Sequence, residues 1–225
     1  MNTKKRSIKD IKRERDDLST FLVHLTRKTD DGESAIENLI NILDRHIIEA
    51  RNPKGLCWDW PDYLDFTRSV CFTETPLNYV RYLFDIEGRG INLEPYGLVF
   101  SKTFLLEKGA NPVFYINTFD KKEPRTELRT VIARMINNHP NKEDMKEIVA
   151  YFDTYGKIAG SDKIRDFYWE REWRFKGNFT FDDKDIIIGL CPDGDLDFFS
   201  DRYKNIKFIS PYMSMEEIIQ LIAHK

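Results

Sequence analysis

The chain has 225 residues, 41% of them hydrophobic, 13% aromatic and 32% charged, with a formal net charge of −3. This is enough apolar material for a sizeable core, and no shift in composition marks a second domain. The slight acidity excludes a protein whose whole surface serves nucleic acid.

Lys4, Lys5, Arg6, Lys9, Lys12, Arg13 and Arg15 crowd the start against Asp10 and Glu14. They predict a basic amino-terminal helix over 1–18, solvated or able to touch phosphate or an acidic partner. Residues 19–225 read as a single α+β domain. Phe21-Leu22-Val23-His24-Leu25-Thr26 predicts a buried first strand, and Ile36, Leu39, Ile40, Leu43 and Ile47 recur at helical spacing over about 33–50. The loop from Arg51 to Asp62 carries Trp58 and Trp60 and is expected to pin itself to the body or to cover a ligand. Val70-Cys71-Phe72-Thr73 is a short strand. Thr75 before Pro76 predicts an N-cap and a helix carrying Leu77, Val80, Arg81 and Phe84.

Strands are expected over Tyr96 to Phe100 and Val113 to Ile116, with a short helix around Thr103 to Lys108 between them. Helical stretches at about 122–138 and 142–157 precede strands over Glu170 to Phe175, Ile186 to Ile188 and Lys207 to Ile209, and Met215 to Ala223 forms a last helix. Strands and helices mix without a regular βαβ repeat, so the fold class is α+β.

The segment Tyr168-Trp169-Glu170-Arg171-Glu172-Trp173-Arg174-Phe175 carries the strongest hint of chemistry. Read as a strand, it puts Glu170, Glu172 and Arg174 on one face, with the two carboxylates roughly 7 Å apart. Such a face is either solvated, with an ion pair of small value, or chemical. His24 and Thr26 share a face of the first strand by the same parity, and either serve a polar ligand or are satisfied in the core. Thr73 and Glu74 end a strand at a helix entrance, where free backbone N–H groups favour an anion, although capping alone would explain them.

Cys57, Cys71 and Cys191 are odd in number and at no CxxC spacing, which signals neither a disulfide framework nor a zinc site. His24, His46, His139 and His224 fall at no metal-ligand spacing, and Asp193-Gly194-Asp195-Leu196-Asp197 lacks the glycine position of a calcium loop. No apolar run approaches the ~20 residues of a membrane span, so a cytoplasmic protein without membrane contact is expected.

The segments Phe21 to Arg27, Asn38 to Leu43, Cys71-Phe72-Thr73-Glu74-Thr75-Pro76-Leu77, Tyr96 to Phe100, Gly109 to Tyr115 and Glu170-Arg171-Glu172-Trp173-Arg174 together resemble the AbiGi family of abortive phage resistance proteins, over residues of about 20–190. The resemblance implies phage defence, and the family's antitoxin label implies a non-enzymatic protein that binds a partner toxin.

A second resemblance is to the DarT group of nucleic-acid ADP-ribosyltransferases, through His24-Leu25-Thr26 and the helix carrying Asn38-Leu39 and Ile42-Leu43. It implies a transferase-like mixed-sheet core, NAD as substrate, and RNA, DNA or protein as acceptor, and a phage-defence ADP-ribosyltransferase is accordingly the first expectation, with the non-enzymatic antitoxin as the alternative. It assigns Glu172 as the catalytic carboxylate with Glu170 beside it. His24, Thr26, Phe72, Thr73, Tyr96 and Arg174 would then contact NAD. The second motif, Phe72-Thr73-Glu74, is neither the tyrosine nor the Ser-Thr-Ser of that superfamily. The chemistry would be stabilisation of an oxocarbenium-like ribose by a preorganised carboxylate.

Overall fold

The computed structural model describes residues 15–52, 55–56, 61–84, 86, 92–117, 128–157 and 164–223. It is an α+β fold with mostly antiparallel strand pairing. The chain gathers into two compact units, one of Met1–Ile40, Glu74–Phe104 and Asp183–Lys225, the other of Asn41–Thr73 and Leu105–Asp182. Strands are numbered below in chain order.

In the first unit, β1 (Phe21–Leu25) pairs antiparallel with β4 (Gly97–Ser101). On its other side β4 pairs antiparallel with β11 (Ile186–Leu190), which runs parallel to β12 (Phe208–Ile209). Leu98, Val99 and Phe100 of β4 have no exposed surface, as a strand between two others and covered on both faces requires. One face brings Val23, Leu25, Val99, Ile188, Leu190 and Ile209 against Val80, Leu83 and Phe84. On the other, Phe199 of the helix Leu196–Arg202 stacks on Phe208 at 4.9 Å. Gly189 makes that packing possible, because a Cβ there would meet the Phe208 ring at 2.2 Å.

In the second unit β3 (Ser69–Thr73) pairs antiparallel with β9 (Glu172–Lys176), and β9 pairs in turn with β5 (Asn111–Pro112). A separate ribbon joins β6 (Phe114–Asn117), β7 (Phe152–Lys157) and β8 (Ile164–Arg165), and β2 (Ile47–Ile48) pairs with β10 (Phe179–Thr180). Leu56, Tyr63, Ile116, Ile136 and Val149 form one core, with Ile136 supplied by the helix Leu128–Asn138. A second apolar layer runs through Phe72, Phe175, Phe179 and Phe181, whose rings meet at 5.2–6.1 Å.

Several expectations change at their edges. The helix expected over 33–50 spans Ala35–Arg45, because His46 turns left-handed at φ 53° and the chain enters β2. The segment after Pro76 is a 3-10 helix, Leu77–Leu83, and its N-cap position is Pro76 rather than Thr75. The stretch 142–157 is α-helical over Lys142–Ile148, capped by Asn141, continues as a 3-10 turn over Val149–Tyr151, and becomes β7 from Phe152. Of the amino-terminal helix expected over 1–18, the first fourteen residues lie outside the described ones, as do Trp58 and Trp60. No helix among the described residues is long and apolar enough to cross a membrane.

Candidate functional site

The strand expected from Glu170 begins instead at Glu172. Tyr168–Glu170 is a 3-10 turn, and Arg171 then adopts φ 49°, a left-handed residue that aims the chain into β9. The turn is held by the Thr73 hydroxyl, which donates to the Glu170 carbonyl at 2.6 Å, and by Trp169 Nε1, which donates to the Asp166 carbonyl at 2.8 Å. Glu170 and Glu172 are therefore not two positions of one strand face, and the paired-carboxylate geometry is not formed by strand parity. The physical reason is the left-handed residue between them, which breaks the alternation.

From Glu172 onward the alternation holds. Thr73 lies across from Glu172 and Cys71 across from Arg174, so these four side chains share one face of β3 and β9. Phe72 lies across from Trp173 on the opposite face, 2% exposed and edge-on to Phe179 at 5.5 Å. It is a core residue on the face away from Glu172, not a ring stacked beside that carboxylate.

Arg174 is 1% exposed and sits at the centre of this face. Its Nε donates to Glu172 Oε1 at 2.9 Å and one terminal nitrogen donates to Glu172 Oε2 at 3.0 Å and to Asp153 Oδ2 at 2.5 Å. The other terminal nitrogen donates to the carbonyls of Ala150 at 2.9 Å and Phe152 at 3.4 Å. These bonds match the five N–H donors of a guanidinium, so in this arrangement Arg174 has no donor left over for the NAD contact that the resemblance implies. Gly55 lets the chain pass over this group, since a Cβ there would meet Phe152 O at 2.5 Å and the guanidinium at 2.8 Å.

The electrostatics follow from burial. Desolvation opposes the Arg174 charge, but Glu172 and Asp153 outweigh it and hold the group firmly protonated. Burial raises the Asp153 carboxyl above its ordinary range, with Arg174 pulling it back. Burial and then the Glu172 charge push the Cys71 thiol well up, and the same two causes raise Tyr115, whose hydroxyl donates to the Phe167 carbonyl at 3.2 Å. The result is one cation held by two carboxylates, with a neutral thiol and a neutral phenol beside them. Asp153, Tyr115, Cys71 and Gly55 had no assigned part in the sequence reading. The only signal for Asp153 was the aromatic and β-branched run Phe152 to Tyr155, closed by Gly156, which marks a strand better than a helix.

The remaining expected residues belong to the first unit. His24 lies across from Leu98 in β1. The Thr26 hydroxyl donates to the Ala35 carbonyl at 2.9 Å and its backbone N–H to the Tyr96 carbonyl at 2.8 Å. The Tyr96 hydroxyl donates to Asp195 at 2.7 Å, and burial raises its pKa. Glu74 accepts from Lys102 at 2.7 Å, which absorbs the charge expected to flank an anion site. The second unit also has an open groove of about 570 Å³ bordered by Phe66, Arg68, Lys108, Tyr151 and Lys176, and none of the residues expected from sequence lines it. Among the described residues no group of His, Cys, Asp and Glu could hold a metal ion.

The sequence model of the family described as "Putative abortive phage resistance protein AbiGi, antitoxin" matches residues 67–191, more than half of the chain. The chain belongs to the AbiGi family. The AbiGi match contains Cys71, Tyr115, Asp153, Glu172 and Arg174, and therefore every side chain of the buried cluster. No curated protein and no solved structure matches the chain. Nothing in these comparisons supports the ADP-ribosyltransferase resemblance.

Proposed function

We propose that this AbiGi chain is a non-enzymatic antitoxin of an abortive-infection system, which restrains a partner toxin by binding it. The observation that carries this reading is the bidentate pairing of Glu172 with Arg174 inside a buried cluster. A carboxylate stabilises a developing ribose cation through the share of its charge that faces the reacting carbon, and a bidentate guanidinium partner reduces that share. Here both oxygens of Glu172 are committed to a guanidinium. Its partner Asp153 is 5% exposed. The family's antitoxin description agrees with a binding role.

The test sets the two readings against each other. The chain expressed alone is expected to leave growth unchanged, and the purified protein to release no nicotinamide from NAD. Co-expression with the toxin, taken as the product of the adjacent gene, should restore growth, and the two proteins should copurify. Nicotinamide release that disappears in Glu172→Gln would overturn the antitoxin reading in favour of the transferase.

A further inference from the structure

In the first unit, the 3-10 helix Leu77–Leu83 buries Val80 and Leu83 and turns Tyr79, Arg81 and Tyr82 outward. Tyr82 is 62% exposed and stacks on Tyr79 at 6.2 Å. The Arg81 guanidinium lies 5.1 Å above the Tyr82 ring and donates to its hydroxyl at 3.3 Å. No carboxylate among the described residues pairs with Arg81. The arrangement holds a broad aromatic surface and a cation nearly fixed before any partner arrives, which lowers the entropy cost of binding.

The helix Met215–Ala223 faces the same region. Ile218 packs on the core, whereas Met215 and Ile219, one turn apart, stay more than half exposed. Leu77 and Asn78 from one element, Met215 and Ile218 from the other and Met213 from the bend before it line a notch of about 20 Å³, room for the tip of one side chain. Tyr212 extends the surface, edge-on to Phe84 at 6.2 Å. Tyrosine, arginine and methionine are the residues that concentrate at protein interfaces.

We infer that Tyr79, Arg81, Tyr82, Tyr212, Met215 and Ile219 form the toxin-docking surface, a proposal that rests on the antitoxin reading above. The fitting partner element is an amphipathic helix of the toxin. One aliphatic side chain enters the notch, a carboxylate meets Arg81, and a cation meets the exposed Glu216. Size favours the toxin over a second copy of this chain. Six side chains with about half their area open offer roughly 600 Å², near the ~800 Å² per partner of a separable complex and short of a permanent homodimer.

The experiment measures the affinity of the purified full chain for the purified product of the adjacent gene by calorimetry, with light scattering to follow self-association. Tyr82→Ala and Ile219→Asp are each expected to weaken binding about 30-fold or more. Their urea midpoints should stay at the wild-type value, and Met135→Asp, at an exposed site of the other unit, should bind as wild type does. If wild type does not bind, the antitoxin reading falls and takes the surface with it. If wild type binds and both variants stay within threefold, the surface is wrong while the antitoxin reading stands. If the variants abolish a dimer and keep toxin affinity, the face joins copies of this chain and the proposal is overturned. Should Ile219→Asp lower the midpoint, Tyr82→Ala alone decides.

Discussion

Replacing Arg174 with methionine removes the one cation of the buried cluster and keeps most of the volume. Asp153 and Glu172 then remain desolvated without a counter-charge, and the carbonyls of Ala150 and Phe152 lose their donor. Breaking a buried pair from one side costs about 3–5 kcal/mol. That is a large share of the roughly 5–15 kcal/mol that holds an ordinary domain together. With a urea slope of about 2 kcal/mol per molar, the midpoint should fall by roughly 2 M at pH 7. The pH dependence has a definite sign. Burial already holds the Asp153 carboxyl above its ordinary range, and only Arg174 and the Thr154 N–H pull it down. Without Arg174 it rises further. A carboxyl whose folded pKa exceeds its unfolded one favours folding at low pH, and that contribution is lost as pH rises through the folded value. The deficit of Arg174→Met should therefore shrink between pH 7 and pH 5. Arg174→Lys keeps the charge but not the planar fork, so its deficit should be smaller. A loss below about 1 kcal/mol at pH 7, or a deficit that widens toward pH 5, would refute the cluster as described.

Two further outcomes follow from packing. Cys191 is fully buried with its thiol pushed up to about 12; peptide mapping after iodoacetamide at pH 8 should find it alkylated only once urea is added, and rapid labelling of native Cys191 would contradict its burial. Gly189→Ala drives a methyl into the Phe208 ring and should cost about 1–3 kcal/mol, with part recovered on adding Phe208→Leu; strictly additive losses in urea melts would mean that the two do not meet.

The core strands were legible because their cause is local. Phe21 to Leu25, Gly97 to Phe100 and Ile186 to Leu190 are short apolar runs too brief for helices, and Met215–Ala223 shows helical spacing along its length. The misread segments turn on single residues whose conformation composition does not announce. His46 and Arg171 are left-handed without being glycine or asparagine, so the first helix seemed to run on and the Glu170 strand seemed to start early. The parity of Glu172 and Arg174 was visible, but not their burial. That depends on Asp153, which lies 21 positions away, and on a carbonyl of the turn before it.

What Arg174 joins explains why so costly a group sits there. β9 has β3 and β5 as its strand neighbours, and β7 has β6 and β8, so among the described residues no ladder pairs β9 with β7, and the two sheets meet through the backbone only where β5 runs on through Val113 into β6. The guanidinium spans them, gripping Glu172 on β9 and the backbone and carboxylate of residues 150–153 at the entrance to β7. An apolar contact there would be non-directional and would accept β7 shifted along its axis. The three directed bonds that reach residues 150–153 accept only one register, because a shift of one residue turns Asp153 away from the guanidinium. A buried ion cluster is a poor source of net stability compared with apolar packing, but it is a strong determinant of relative position. On that argument, replacing Arg174, Glu172 and Asp153 together by apolar residues of similar volume should cost much less stability than Arg174→Met alone. The loss should appear instead as a broadened set of β7 positions, read as weakened amide protection over Phe152 to Lys157.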